Sequence, residues 1–146
     1  MLPVLYVNNE LDSTVTVFDW AAGRATERQV ITTLPQGHAE HNTTAEIVAS
    51  PCGRYLYVSN RGLDSVVRFV VTPGSGTLAY AGTVPTGGAR PRFFTLGPNA
   101  KQLYAANQDS DDITVFDIDP EGGSLTPTGV RISVGSPSAI SFVTPP

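Results

Sequence analysis

The chain has 146 residues, 40% of them apolar, which suits one domain large enough to bury a core. A formal net charge of −4, with no cluster of Lys or Arg, excludes a phosphate-tracking nucleic-acid surface. No apolar stretch approaches the roughly 20 residues that cross a bilayer as a helix, and 14 Gly with 12 Pro favour many turns over long helices.

Lys101 is the only lysine against eight arginines, a balance suited to planar carboxylate or phosphate recognition. Cys52 is the single cysteine, so no internal disulfide can form. Met1-Leu-Pro-Val leads directly into a strand pattern without a charged, cleavable leader, and the chain is expected to be soluble and cytoplasmic.

Strand signals dominate from the start. Leu5–Asn8 and Thr14–Phe18 are rich in Val, Thr and aromatics; Ala21–Gly23 turns the chain, and Gln29–Leu34 is the next strand before Pro35. A polar loop from Gln36 to Thr44 carries both histidines. Glu46–Ala49, Tyr55–Ser59, Ser65–Val71 and Leu78–Val84 then form a four-strand cycle, punctuated by Ser50–Arg54 and Thr72–Gly76. Arg92–Leu96, Leu103–Ala106, Ile113–Ile118 and Leu125–Ser133 repeat that cycle, and Ala139–Val143 begins another. No segment carries an apolar repeat at helical spacing.

Leu5-Tyr6-Val7-Asn8-Asn9-Glu10, Leu56-Tyr57-Val58-Ser59-Asn60-Arg61 and Leu103-Tyr104-Ala105-Ala106-Asn107-Gln108 are copies of one segment, 51 and then 47 residues apart. Four-strand units at that period predict an all-β protein, a β-propeller of four-stranded antiparallel blades. Residues 1–35 read as a blade without its inner strand, 45–85 and 91–134 as full blades, and 137–143 as the inner strand of the next. About three blades are therefore present in one partial propeller domain. Such an arc leaves open sheet edges and bare blade faces, which points to a longer propeller or to self-association through those edges.

Antiparallel connectivity puts the end of each second strand beside the start of the innermost strand. Asn9-Glu10, Asn60-Arg61 and Asn107-Gln108 are thus expected on one face, with Glu46, Arg92 and Ser138 near the central channel and the loops holding His38, His41 and Arg90 beside them. The recurring Asn suits a strand-end turn, whereas Glu10 and Arg61 vary between copies and are free to carry chemistry. His38-Ala39-Glu40-His41 lacks the spacing of a helical metal motif, so no metal and no cofactor are expected. Cys52 lies in a turn remote from the polar face, and Asp109–Asp112 reads as a solvated connection rather than a calcium loop.

Asn9-Glu10-Leu11-Asp12-Ser13-Thr14-Val15, Ala45-Glu46-Ile47, Ser50-Pro51-x-Gly53-Arg54-Tyr55-Leu56-Tyr57-Val58-Ser59-Asn60-Arg61-Gly62 and Pro91-Arg92-Phe93-Phe94 resemble the seven-bladed propeller lactonases. That family includes propeller-type 6-phosphogluconolactonase and fungal carboxy-muconate cyclase. The resemblance covers nearly the whole chain and implies the C-terminal three blades of such a protein. It departs at Cys52, where the family usually has Asp. It implies a small anionic lactone as substrate, Glu10 and Arg61 as catalytic residues, and Arg92, Glu46, Asn60 and Asn9 as substrate-binding ones. Further cleft residues, a His and an Arg among them, are implied on blades preceding this segment, so an isolated monomer is expected to have little or no activity. Alternative readings are a cyclase-type enzyme, a binding propeller with Tyr-Val-Thr-Asn-like repeats, or an incomplete gene product.

Overall fold

A computed structural model describes residues 3–145. Eleven strands form three antiparallel sheets in which neighbours in sequence are neighbours in space. The first blade holds β1 (Val4–Asn9), β2 (Thr14–Ala21) and β3 (Arg24–Thr32). The second holds β4 (Thr43–Ala49), β5 (Tyr55–Arg61), β6 (Ser65–Val71) and β7 (Leu78–Pro85). The third holds β8 (Pro91–Leu96), β9 (Gln102–Asn107), β10 (Asp112–Ile118) and β11 (Leu125–Ser133).

The core lies between blades rather than within them. β5 is buried along its whole length, and its two faces serve different neighbours. Leu56 and Val58 join Val15 and Val17 of the first blade, with Val67, Phe69 and Leu78. Tyr55 and Tyr57 join Phe94, Leu103, Ala105, Phe116 and Leu125 of the third. A strand covered on both sides reads as a continuous apolar run, which is why Tyr55–Val58 lacks polar alternation.

The repeat extends to backbone strain. Ser13, Asp64 and Asp111, at the turn after each second strand, all adopt left-handed conformations (φ 51°, 47° and 56°). Short polar side chains tolerate that region better than β-branched ones. Gly76 and Gly123 occupy matching hairpin positions at φ 70° and 67°, and an added Cβ would lie 2.6 Å from Val4 and 2.5 Å from Tyr55 respectively. Glycine is required there twice over, by dihedral and by the close approach of the preceding blade. The tyrosine of the repeated segment closes the same junction: Tyr6 Oη donates to Gly76 O (2.7 Å) and Tyr57 Oη to Gly123 O (2.8 Å).

Three differences from the sequence reading have physical causes. β3 starts at Arg24 and stops at Thr32, because Ala22 and Gly23 (φ 48° and 76°) form a two-residue hairpin turn that pairs Ala21 with Arg24. Its first residues are exposed and polar, and so carry no apolar signal. Gln108–Ser110 forms a 3-10 turn, and Asp112 behind it is buried rather than solvated, bonded to Asn107 and Ser110 and ion-paired with Arg131. Finally, residues 137–143 form no ladder, because no second strand lies beside them among the described residues.

Candidate functional site

The site begins where β1 and β5 end. Strand polarity brings both ends to one face, and β4 starts between them, with Thr44 N donating to Glu10 O (3.0 Å). Across this blade junction the Arg61 guanidinium is ion-paired, through Nη2, to Oε1 of Glu10. The same Nη2 donates to Thr44 O (3.0 Å). The two partners differ sharply in environment: the Arg61 side chain is 9% exposed and that of Glu10 is 57% exposed. The cation is buried and the carboxylate stands exposed beside it. Arg61 Nε is buried without a protein partner, which leaves a donor of a buried guanidinium unused.

Asn60, the residue before Arg61, sits in a buried polar network that the sequence patterns do not signal. Asn60 Oδ1 accepts from Thr33 Oγ1 (2.7 Å) and Asn42 Nδ2 (3.0 Å), while Asn60 Nδ2 donates to Thr33 O (3.2 Å). Asn42 Nδ2 also donates to Ser13 Oγ (2.9 Å), and Leu63 N donates to Asn42 Oδ1 (3.0 Å). Gly62 completes the corner at φ 125°, where a Cβ would lie 2.4 Å from His41 O. A closed network of this kind fixes the direction in which the next side chain leaves the strand.

The other expected site residues divide. Asn60 is fully engaged in the network, and Asn9 Nδ2 donates to Thr14 and Thr16 hydroxyls (3.0 and 2.8 Å), as Asn107 does to Asp112 and Thr114. Asn9 and Asn107 therefore tie together their own blades, whereas Asn60 bonds Thr33 and Asn42, which precede its blade. Glu46 and Arg92 sit at register shifts near the starts of β4 and β8, bulges that turn side chains out of the pleat. Glu46 Oε1 accepts from Ile47 N (3.0 Å), and Asn8 Nδ2 from the first blade steadies the bulge through Ala45 O (3.1 Å). Arg92 is exposed. Arg90 pairs with Asp109 (3.3 Å), and Ser138 is exposed in the unpaired terminal segment.

The histidines do not join this group. His38 lines an outer cavity with Ile31, Leu34 and Tyr80, none of them a site residue, and His41 is exposed. The loop at residues 33–42 runs from the outermost strand of one blade to the innermost of the next. Its early part, with His38, consequently stays at the periphery. Cys52 is likewise outside the site, exposed in the β4–β5 turn at the opposite strand ends. A hydrogen bond with Ser50 first, then bonds from Arg54, hold its thiol at about 7.

The sequence profile described as "Lactonase, 7-bladed beta-propeller" matches residues 2–142. The chain belongs to that family. It is 36% identical over 95 residues to 6-phosphogluconolactonase of Bacillus subtilis, a match covering 64% of this chain and 27% of that protein. Among solved structures, the periplasmic gluconolactonase of Pseudomonas aeruginosa superposes with a TM-score of 0.92 at 35% identity, covering 98% of this chain and 40% of the other. A putative 6-phosphogluconolactonase from Bacteroides uniformis gives 0.87 at 38% identity, covering 96% and 40%. The chain thus spans well under half the length of these relatives, in keeping with three blades of a seven-bladed ring.

Proposed function

We infer that these blades contribute to a cleft that hydrolyses the lactone of an anionic sugar acid, in the manner of a 6-phosphogluconolactonase. The observation that carries the reading is the Glu10–Arg61 pair across the blade junction, with a buried cation that keeps an unused donor and a carboxylate open to solvent. Family membership supplies the reaction class.

Lactone hydrolysis adds water to an acyl carbon and breaks the ring C–O bond, giving a carboxylate and a hydroxyl. The chemistry asks for a proton acceptor near the attacking water and cations for the substrate's charge and the developing oxyanion. Glu10 takes the first role, with the carboxylate oxygen that Arg61 leaves free. Arg61 takes the second, its planar fork suited to a phosphate or carboxylate oxygen. Arg92, on the exposed bulge of β8, extends the cationic rim toward the channel. Asn9 and Asn60 hold the strand corners through side-chain hydrogen bonds, and Glu46 holds the bulge through Ile47 N, rather than contacting substrate.

The decisive assay uses a complete ring: a chimera in which this chain completes the propeller of a lactonase relative. Glu10→Gln is expected to lower kcat about 100-fold or more with little change in KM. Arg61→Ala is expected to raise KM and lower kcat together. Unchanged turnover in Glu10→Gln would remove Glu10 from the mechanism. The isolated monomer is expected to show little or no turnover, and robust activity from it would contradict the shared-cleft reading.

A further inference from the structure

Glu10 and Arg61 belong to different blades, yet a single side chain reaches the corners that carry both. Asn42 is 6% exposed and lies in the loop between the two blades. It immediately precedes Thr43, which stands opposite Arg61 in the β4–β5 ladder. Its bonds run in two directions. Toward the first blade, Asn42 Nδ2 donates to Ser13 Oγ (2.9 Å), and Ser13 Oγ donates to Asn42 O (3.1 Å). Toward the second, Asn42 Nδ2 donates to Asn60 Oδ1 (3.0 Å), and Asn42 Oδ1 accepts from Leu63 N (3.0 Å).

These partners bracket the ion pair. Ser13 closes the turn that Glu10 opens between β1 and β2. Asn60 and Leu63 stand on either side of Arg61-Gly62. At Gly62 the corner lies so close to the loop that an added Cβ would stand 2.4 Å from His41 O and 3.1 Å from Asn42 Cα. The next junction is built differently. Thr44↔Asn60 matches Pro91↔Asn107 in register, which puts Ala89 at the place of Asn42. Alanine has no amide to bridge two corners, and among the described residues no side-chain bond joins Arg61 to Gln108. The bridging asparagine accompanies the junction that holds an ion pair.

We propose that Asn42 is a positioning residue: by tying the turn after Glu10 to the corner that carries Arg61, it sets how the carboxylate and the guanidinium stand to one another across the blade junction. One planar amide bonded to both corners restricts the sliding of one blade past the other at this point. Without it, Ser13 Oγ and Leu63 N lose a buried partner and the two corners are free to move separately. Misplacing reacting groups by about 1 Å can cost about 100-fold in rate. That rate effect rests on the lactonase reading, whereas the tie between the corners does not.

The ion pair itself supplies the readout. In the 146-residue chain, Glu10→Gln is expected to shift the Arg61 Nε–H NMR signal, because it removes the carboxylate partner. In Asn42→Ala and in Ser13→Ala, the same Glu10→Gln change is expected to move that signal less than about half as far. Ser13→Ala leaves the bonds to Asn60 and Leu63 in place, so it answers even where Asn42→Ala fails to fold. Leu56→Ala, a core substitution, controls for general loss of stability and should keep the full shift. In a lactonase ring completed by this chain, Asn42→Ala is expected to lower kcat about 10-fold, and Leu56→Ala is not. A full Glu10→Gln shift in Asn42→Ala or in Ser13→Ala would overturn the proposal. So would unchanged kcat for Asn42→Ala in a ring that Glu10→Gln inactivates. A ring that keeps its turnover in Glu10→Gln counts against the lactonase reading alone, and the signal shifts then decide the role of Asn42.

Discussion

The first and second blades carry the same segment, Leu-Tyr-Val, in different surroundings. Leu56 and Val58 are 2% and 0% exposed, whereas Leu5 and Val7 are 39% and 37% exposed. The difference is not in the residues but in what stands beside them: β5 has β4 on its inner edge and the first blade on its face, and among the described residues β1 has neither. A blade is therefore not a unit of stability in itself. Each depends on its neighbours to turn an apolar strand into a core.

Substitutions at matched positions sharpen this contrast. The largest effect is expected at Leu56, where Leu56→Ala in denaturant unfolding should cost about 2–5 kcal/mol, while Leu5→Ala should cost less than about 1 kcal/mol. Equal losses would mean that the first blade's outward face is covered in solution. Next come the corner asparagines. Asn60→Ala strands Thr33 and Asn42 in a buried network and should cost about 2 kcal/mol, against about 1 kcal/mol for Asn9→Ala, whose partners are hydroxyls of its own sheet. Smaller still is the tyrosine staple. Tyr57→Phe leaves Gly123 O without its donor and should cost about 1 kcal/mol. Tyr104 Oη bonds only Gln102 beside it, so Tyr104→Phe should fall within about 0.5 kcal/mol of the parent.

The smallest effect concerns reactivity alone. With Ser50 and Arg54 favouring the thiolate, alkylation of Cys52 should rise with pH through a midpoint of about 7. Below that midpoint the thiol protonates and the rate falls. Ser50→Ala removes the largest cause and should move the midpoint upward.

These contrasts also mark what was legible in the sequence. Strands that face two neighbours, such as Tyr55–Ser59, announce themselves as apolar runs, and three copies of one segment disclose the propeller and the face on which Glu10 and Arg61 meet. Connectivity alone brings that pair together. What local pattern could not disclose depends on contacts distant in sequence. Asn60 answers to Thr33 and Asn42, and Asp112 to Arg131, partners that no local pattern around either residue names. His38 illustrates the same limit, since proximity in sequence to the start of β4 did not carry it to the channel. The terminal segment 137–143 has a strand's sequence and approach but lacks the sheet that would make it one.

Arg61 is a buried cation with an unused Nε–H donor, and the proposed anion site depends on it. The most direct measurement is the NMR signal of the Arg61 Nε–H, assigned by its loss in Arg61→Lys, as 6-phosphogluconate is added. A saturable shift, weakened by added salt and absent with an uncharged sugar of the same size, is the predicted result. An Arg61 signal that stays in place through the titration would contradict the account.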